Sequence, residues 1–178
     1  MTSPFGDLSA TPARGPCPCG RAGSYESCCG RLHRGEARAA TAEDLMRSRY
    51  AAFAVGDRAY LLRTWHPATR PADLRLDPTQ RWTGLEVTAS AAGGPGDRDG
   101  EVTYRAAFSA QGRAGSFVER ARFARRGRAW VYVDDSVEAP DSCVVSDRGR
   151  AASRWPGPSR RSGAGRPRRG RRRRRPGP

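Results

Sequence analysis

The chain has 178 residues, and its 33 basic residues, all of them arginine, stand against 18 acids for a formal net charge of +15. The excess belongs to one end: residues 148–178 hold 13 arginines and no acid, whereas residues 1–147 hold 20 arginines against 18 acids, so the body is not a basic fold. No run approaches the ~18 apolar residues of a membrane span, and Met1–Arg14 lacks the apolar stretch of a secretory leader, so a cytoplasmic protein with reduced cysteines is expected.

In chain order the composition divides into four segments. Residues 1–15, rich in Ser, Thr, Pro, Gly and Ala, read as a disordered leader. Residues 16–36 hold four of the five cysteines. Residues 41–134 carry the regular patterns, and residues 135–178 pass into an Arg/Gly/Pro-rich tail without apolar periodicity, expected to be disordered.

Thr41 opens the third segment as a helix cap, with Asp44 placed to reach back in a capping box. Ala42, Leu45, Met46, Tyr50 and Phe53 recur at helical spacing, and Gly56 stops the helix. Asp57 caps a second short helix carrying Tyr60, Leu61, Leu62 and Trp65, which Pro67 ends. The period then changes to that of strands. Trp82–Ala89 and Val102–Phe108 are the first two, separated by a long turn from Gly93 to Gly100. Phe117, Ala121 and Phe123 share one face of a third. After Gly127, Ala129–Val133 forms a fourth, with Trp130 and Tyr132 on one face and Val131 and Val133 on the other. Two helices followed by about four antiparallel strands predict an α+β fold with helices packed on a curved antiparallel sheet.

The densest chemical signal is Cys17-Pro18-Cys19, eight intervening residues, then Cys28-Cys29. Zinc takes four soft ligands in a tetrahedron, and four thiolates leave no open position, so such a site is structural. Gly20 and Gly23 allow the backbone to turn tightly about the sulfurs. Four thiolates around a dication leave about −2 charge by counting, which Arg21, Arg31 and Arg34 are placed to offset. His33 stands as an alternative ligand to Cys28 or Cys29, or as an outer donor. One structural Zn²⁺ is expected, on Cys17, Cys19, Cys28 and Cys29.

Cys17, Pro18, Cys19, Gly20, Tyr25, Cys28, Cys29 and Gly30 resemble the SEC-C motif, a short zinc-binding element of the SecA translocation ATPase and many other bacterial proteins. Arg21 departs from the small Ser common there and leaves the ligands untouched. The wider run Cys28–His33, Ala42–Tyr50, Tyr60–Pro67 and Arg81–Leu85 is similar to the YchJ family of bacterial proteins, over roughly residues 16–134. That resemblance implies a SEC-C knuckle joined to a nuclear-transport-factor-2-like domain, a curved sheet wrapped by helices around a cone-shaped pocket. It implies a fold and a metal site, not a reaction.

Further residues carry alternatives. His66, at the expected mouth of the cone, is a candidate acid or base, or simply a residue of a helix end. Glu119, if it faces inward with Phe117 and Phe123, is a buried carboxylate that serves either as a base or in an ion pair with an arginine. Trp82, Tyr104, Phe108, Trp130 and Tyr132 line a pocket or fill a core. The arginines Arg166, Arg168, Arg169 and Arg171 to Arg175 suit non-specific, salt-sensitive contact with a polyanion such as nucleic acid. The tail reads either as a real extension or as out-of-frame translation of GC-rich DNA. Cys143 has no partner at ligand spacing. The expected function is a zinc-binding accessory protein that contacts a protein partner through the knuckle. A small-molecule binder or enzyme using the cone, and nucleic-acid binding through the tail, are the alternatives.

Overall fold

The computed structural model describes residues 15–137; the leader before Gly15, Cys143 and the arginine tail lie outside the described residues. A wide helical turn, Glu26–Gly30, runs into a single turn, α1 (Arg31–His33). Two helices follow, α2 (Ala42–Val55) and α3 (Arg58–Arg63). The strands are β1 (Arg81–Ala92), β2 (Asp99–Ala110), β3 (Arg113–Arg126) and β4 (Ala129–Val137). They form one antiparallel sheet in the order β1-β2-β3-β4.

Both helix starts form as their caps predict. Thr41 is extended and its hydroxyl accepts the Asp44 amide at 3.0 Å, a cap worth about 1 kcal/mol. The reciprocal half of the capping box is not made, because the Asp44 carboxylate takes Arg21 at 2.5 Å instead. Gly56 ends α2 at φ 76°, a left-handed angle that costs a side-chain-bearing residue but not glycine. Asp57 then caps α3 by accepting the Tyr60 amide at 2.9 Å.

Trp65 is not in the second helix. The residue before a proline is disfavoured at helical angles, and α3 ends at Arg63, ahead of Pro67. The extended segment pairs with β4 instead: Tyr132 donates to the Thr64 carbonyl at 2.9 Å and His66 donates to the Tyr132 carbonyl at 2.7 Å. This pairing covers part of an edge that would otherwise lie open.

The strands outrun their apolar patterns. Gln111 and Gly112 both have positive φ, 52° and 75°, the geometry of a two-residue hairpin turn, so β3 starts at Arg113. β4 runs to Val137, paired opposite Glu119. The regular fold therefore passes the boundary expected at 134. Register shifts at Trp82/Gly84 and Val87/Ala89 in β1, and at Val133 of β4 opposite Arg122/Phe123, bend the sheet. Its concave face presents Val102, Tyr104, Ala106, Ala121, Phe123 and Tyr132 to Leu45, Met46, Tyr50 and Phe53 of α2.

The convex face carries charges of both signs. Arg120 pairs with Glu101 at 2.6 Å, Arg122 with Asp134, and Arg105 with Glu86 at 3.9 Å, each across neighbouring strands. Exposed pairs contribute little stability. Their alternation with buried neighbours pins the register, since a one-residue slip would turn these charges into the core. Among the described residues no helix is long and apolar enough to cross a membrane.

Candidate metal centre

The knuckle is a tight return of chain. Pro16 bridges Ser24, Cys17 donates to the Gly23 carbonyl at 3.0 Å, and Tyr25 donates to Gly15 at 3.1 Å. Within it, Gly20 takes φ +80°, which lets the chain reverse directly after Cys19. The second pair lies on the wide turn, where Gly30 donates to the Tyr25 carbonyl, five residues back, at 2.7 Å. Successive residues of a regular helix point about 100° apart, so a vicinal pair cannot normally serve one centre. Here Cys28 leaves helical angles (φ −104°, ψ −105°), and both sulfurs reach the same cluster.

The sulfurs of Cys17, Cys19, Cys28 and Cys29 all lie within 4.8 Å of one another, and all but Cys28 are buried. Cys19 and Cys28 sulfurs are 3.6 Å apart, and those of Cys28 and Cys29 are 3.9 Å apart. A tetrahedron with metal–sulfur bonds of about 2.3 Å has edges of about 3.8 Å, so the cluster has the dimensions of a four-thiolate metal site. The cysteines are free, not disulfide-bonded.

The thiols cannot all ionise by themselves. Hydrogen bonds from Cys19 and then Cys29 pull Cys17 well below the usual thiol range. Cys28 is pushed up to about 11, by burial first and then by the Cys19 sulfur. Cys29 is pushed up by sharing its proton with Cys17 and Cys19, and by burial. A dication held by the four sulfurs would lower the pKa of each and keep them as thiolates.

The expected offset by nearby arginines is only partial. Arg21 is engaged by Asp44 at 2.5 Å and Glu43 at 3.5 Å, and Arg34 by Glu36 at 2.6 Å. Arg47, which the sequence did not single out, donates to the Cys19 carbonyl at 2.9 Å and so ties the knuckle to α2.

α2 is buried on two sides. Cys17, Cys19, Tyr25 and Cys29 pack on Ala51, with Cys28 and Val55 beside them, while the opposite stripe meets the sheet. His33 is not a fifth arm of the cluster. Its Nε2 donates to the Ser48 carbonyl at 2.8 Å, and its Nδ1 accepts the Tyr25 hydroxyl at 2.7 Å. Burial lowers its pKa, so the ring stays neutral in this bridging tautomer. From there the polar contacts continue inward. The Tyr60 hydroxyl meets Ser48 Oγ at 2.7 Å, Thr64 Oγ1 donates to the Tyr60 carbonyl at 2.7 Å, and Arg49 Nη1 donates to Thr64 Oγ1 at 2.8 Å.

The interior of the cone holds the other candidates. Glu119 is fully buried on the concave face. Its Oε1 accepts the Tyr104 hydroxyl at 2.6 Å, in place of the expected arginine ion pair. Burial, and then the Asp135 carboxylate, push its pKa up to about 8. Arg49 is equally buried, its guanidinium 4.9 Å and 4.5 Å from the ring centres of Trp65 and Tyr132. Burial lowers its pKa to about 10, which leaves it charged at neutral pH. A chamber of about 10 Å³ lies between Met46, Arg49, Tyr104, Ala121, Phe123 and Tyr132.

His66 sits apart from this chamber, in the turn beyond α3, where its Nδ1 accepts the Ala68 amide at 3.2 Å. Of the aromatic set, Tyr104, Trp130 and Tyr132 are buried, while Trp82 and Phe108 are half-buried beside Phe117. Arg49 escaped the sequence reading, although a signal existed. It lies midway between Leu45 and Phe53 on the apolar stripe of α2, where a charge demands a reason.

Residues 41–135 match the family model described as YchJ, middle NTF2-like domain. Over 89 residues the chain is 64% identical to a UPF0225 protein of Streptomyces coelicolor, covering 50% of this chain and 72% of that protein. The solution structure of a SEC-C motif containing protein from Rhodopseudomonas palustris superposes with a TM-score of 0.62 at 30% identity, covering 70% of this chain and 100% of that one. The crystal structure of a SEC-C motif containing protein from Psychrobacter arcticus gives 0.59 at 26% identity, covering 73% and 86%.

Proposed function

The chain belongs to the YchJ family, and from that premise we propose that it is a zinc-binding accessory protein whose knuckle is a structural, four-thiolate element presented to a protein partner. The observation that carries the metal is the sulfur cluster, four thiols within 4.8 Å of one another, with two of the separations, 3.6 Å and 3.9 Å, close to the edge of a zinc tetrahedron. Closed by Cys17, Cys19, Cys28 and Cys29, the site has no position for water or substrate, so its work is to order the segment that carries it. Once ordered, the knuckle holds Arg21, Ala22, Gly23, Glu26, Ser27 and Arg31 outward in fixed positions, which supports the reading as a contact surface. A cytoplasmic setting, where thiols stay reduced, suits such a site.

Cobalt replaces zinc in this test as a visible probe. The cobalt-loaded chain is expected to show the absorption of a tetrahedral thiolate centre, and Cys28→Ser to lose it. An octahedral, thiolate-free spectrum from the intact chain refutes the metal assignment. For the partner, pull-downs with the intact chain and with Cys28→Ser are compared, and equal capture by both places the contact surface elsewhere.

A second reading, a small molecule in the cone, has Glu119 in its favour, because a buried carboxyl pushed up to about 8 can exchange a proton near neutral pH. The chamber of about 10 Å³ admits nothing larger than water, so this reading requires the cone to open.

A further inference from the structure

Among the described residues, three buried side-chain polar atoms have no hydrogen-bond partner within the protein: Trp65 Nε1, Arg49 Nη2 and Glu119 Oε2. The last two belong to fully buried ionisable groups. Each of these two side chains is held firmly at its other end. Arg49 Nη1 is fixed by the Leu61 carbonyl and Thr64 Oγ1, both at 2.8 Å, and its plane is clamped against Trp65 and Tyr132. Glu119 Oε1 is fixed by Tyr104 at 2.6 Å. Neither side chain can turn to satisfy its free atom without breaking those bonds. The chamber of about 10 Å³ is lined by Arg49 and by Tyr104, whose hydroxyl bonds Glu119 Oε1.

We infer that this chamber binds one water molecule, which accepts from Arg49 Nη2 and bridges to Glu119 Oε2, accepting from it while the carboxyl is protonated and donating to it once it is ionised. The volume is that of about one water. The chemistry selects among small guests. Nη2 can only donate, whereas the carboxyl donates while it is protonated and can only accept once it is ionised, so a guest that serves both states must accept and donate. A halide would satisfy the arginine and leave the ionised carboxylate bare, with Asp135 adding further repulsion. An ammonium would do the reverse. The water makes the link between Arg49 and Glu119 solvent-mediated, and defines what could replace it: a hydroxyl group, which accepts and donates in the same way. This inference does not depend on the metal reading.

The test is a crystal structure of the full chain at a resolution that orders internal solvent, with a parallel soak in sodium bromide. One solvent peak within about 2.7–3.2 Å of both atoms is expected, unchanged by the soak. A direct Arg49–Glu119 ion pair across a collapsed chamber overturns the inference, as does bromide in the chamber. In solution, water-to-protein cross-relaxation should reach side-chain protons of Arg49 and Tyr104. Its absence from both counts against the bound water without requiring any variant to fold.

Discussion

Replacing Glu119 with glutamine tests the electrostatics of the cone. The side chain keeps its shape and its acceptor for the Tyr104 hydroxyl, and loses only the ability to ionise. In the folded protein the carboxyl holds its proton up to about pH 8, through burial first and Asp135 second, against an ordinary value of 4.5. Below pH 4.5 the group is neutral in both states and contributes no pH dependence. Between pH 4.5 and 8 the unfolded chain has released the proton and the folded chain retains it. The native state then binds more protons, so stability falls as pH rises, by at most about 1.4 kcal/mol per pH unit. Across the full window the loss is on the order of 5 kcal/mol, and above pH 8 it levels off.

Urea unfolding of both proteins from pH 5 to 9, followed by tryptophan fluorescence with metal present, isolates this group, because every other titration is shared. Glu119→Gln should match the parent near pH 5 and exceed it by several kcal/mol at pH 9. Parallel curves across the range, or a parent that gains on the variant with rising pH, would refute the reasoning.

Other substitutions probe the knuckle and its attachment. His33→Ala strands the Tyr25 hydroxyl and the Ser48 carbonyl and opens a buried gap, so it should cost about 2–4 kcal/mol in the same unfolding assay. Gly30→Ala puts a methyl group 2.7 Å from the Tyr25 carbonyl oxygen; the forced shift should cost about 1–3 kcal/mol and loosen the wide turn, read as faster amide exchange at Cys28 and Cys29. Thr41→Ala removes the accepted Asp44 amide bond and should cost about 1 kcal/mol, with metal content unchanged.

How much of this was legible in the sequence depended on the range of the interaction. The caps Thr41 and Asp57 and the stop at Gly56 are local, set by residues within one turn, and they formed where the pattern placed them. The cluster of four cysteines was legible because metal geometry constrains the spacing of such a set directly. The strand ends were not, because pairing with a neighbour carried β3 back to Arg113 and β4 on to Val137, beyond any apolar alternation of their own. Trp65 had the spacing of a helix and was claimed by β4, a contact across more than sixty residues of sequence. The partner of Glu119 was misread for the same reason. The expected arginine is present as Arg49, but it arrives from α2 and is turned toward Thr64 and Leu61, leaving Tyr104 as the direct donor. His33 lies beside the ligand run in sequence, yet its ring serves the joint between knuckle and helix.

The most direct measurement of the central claim is the zinc content of the purified full chain by elemental analysis, alongside Cys17→Ser and Cys28→Ser. One zinc per chain in the parent and none in either variant is the predicted result. A parent that is folded and free of metal, or variants that both retain a full equivalent, would contradict the assignment of Cys17, Cys19, Cys28 and Cys29 as one closed site.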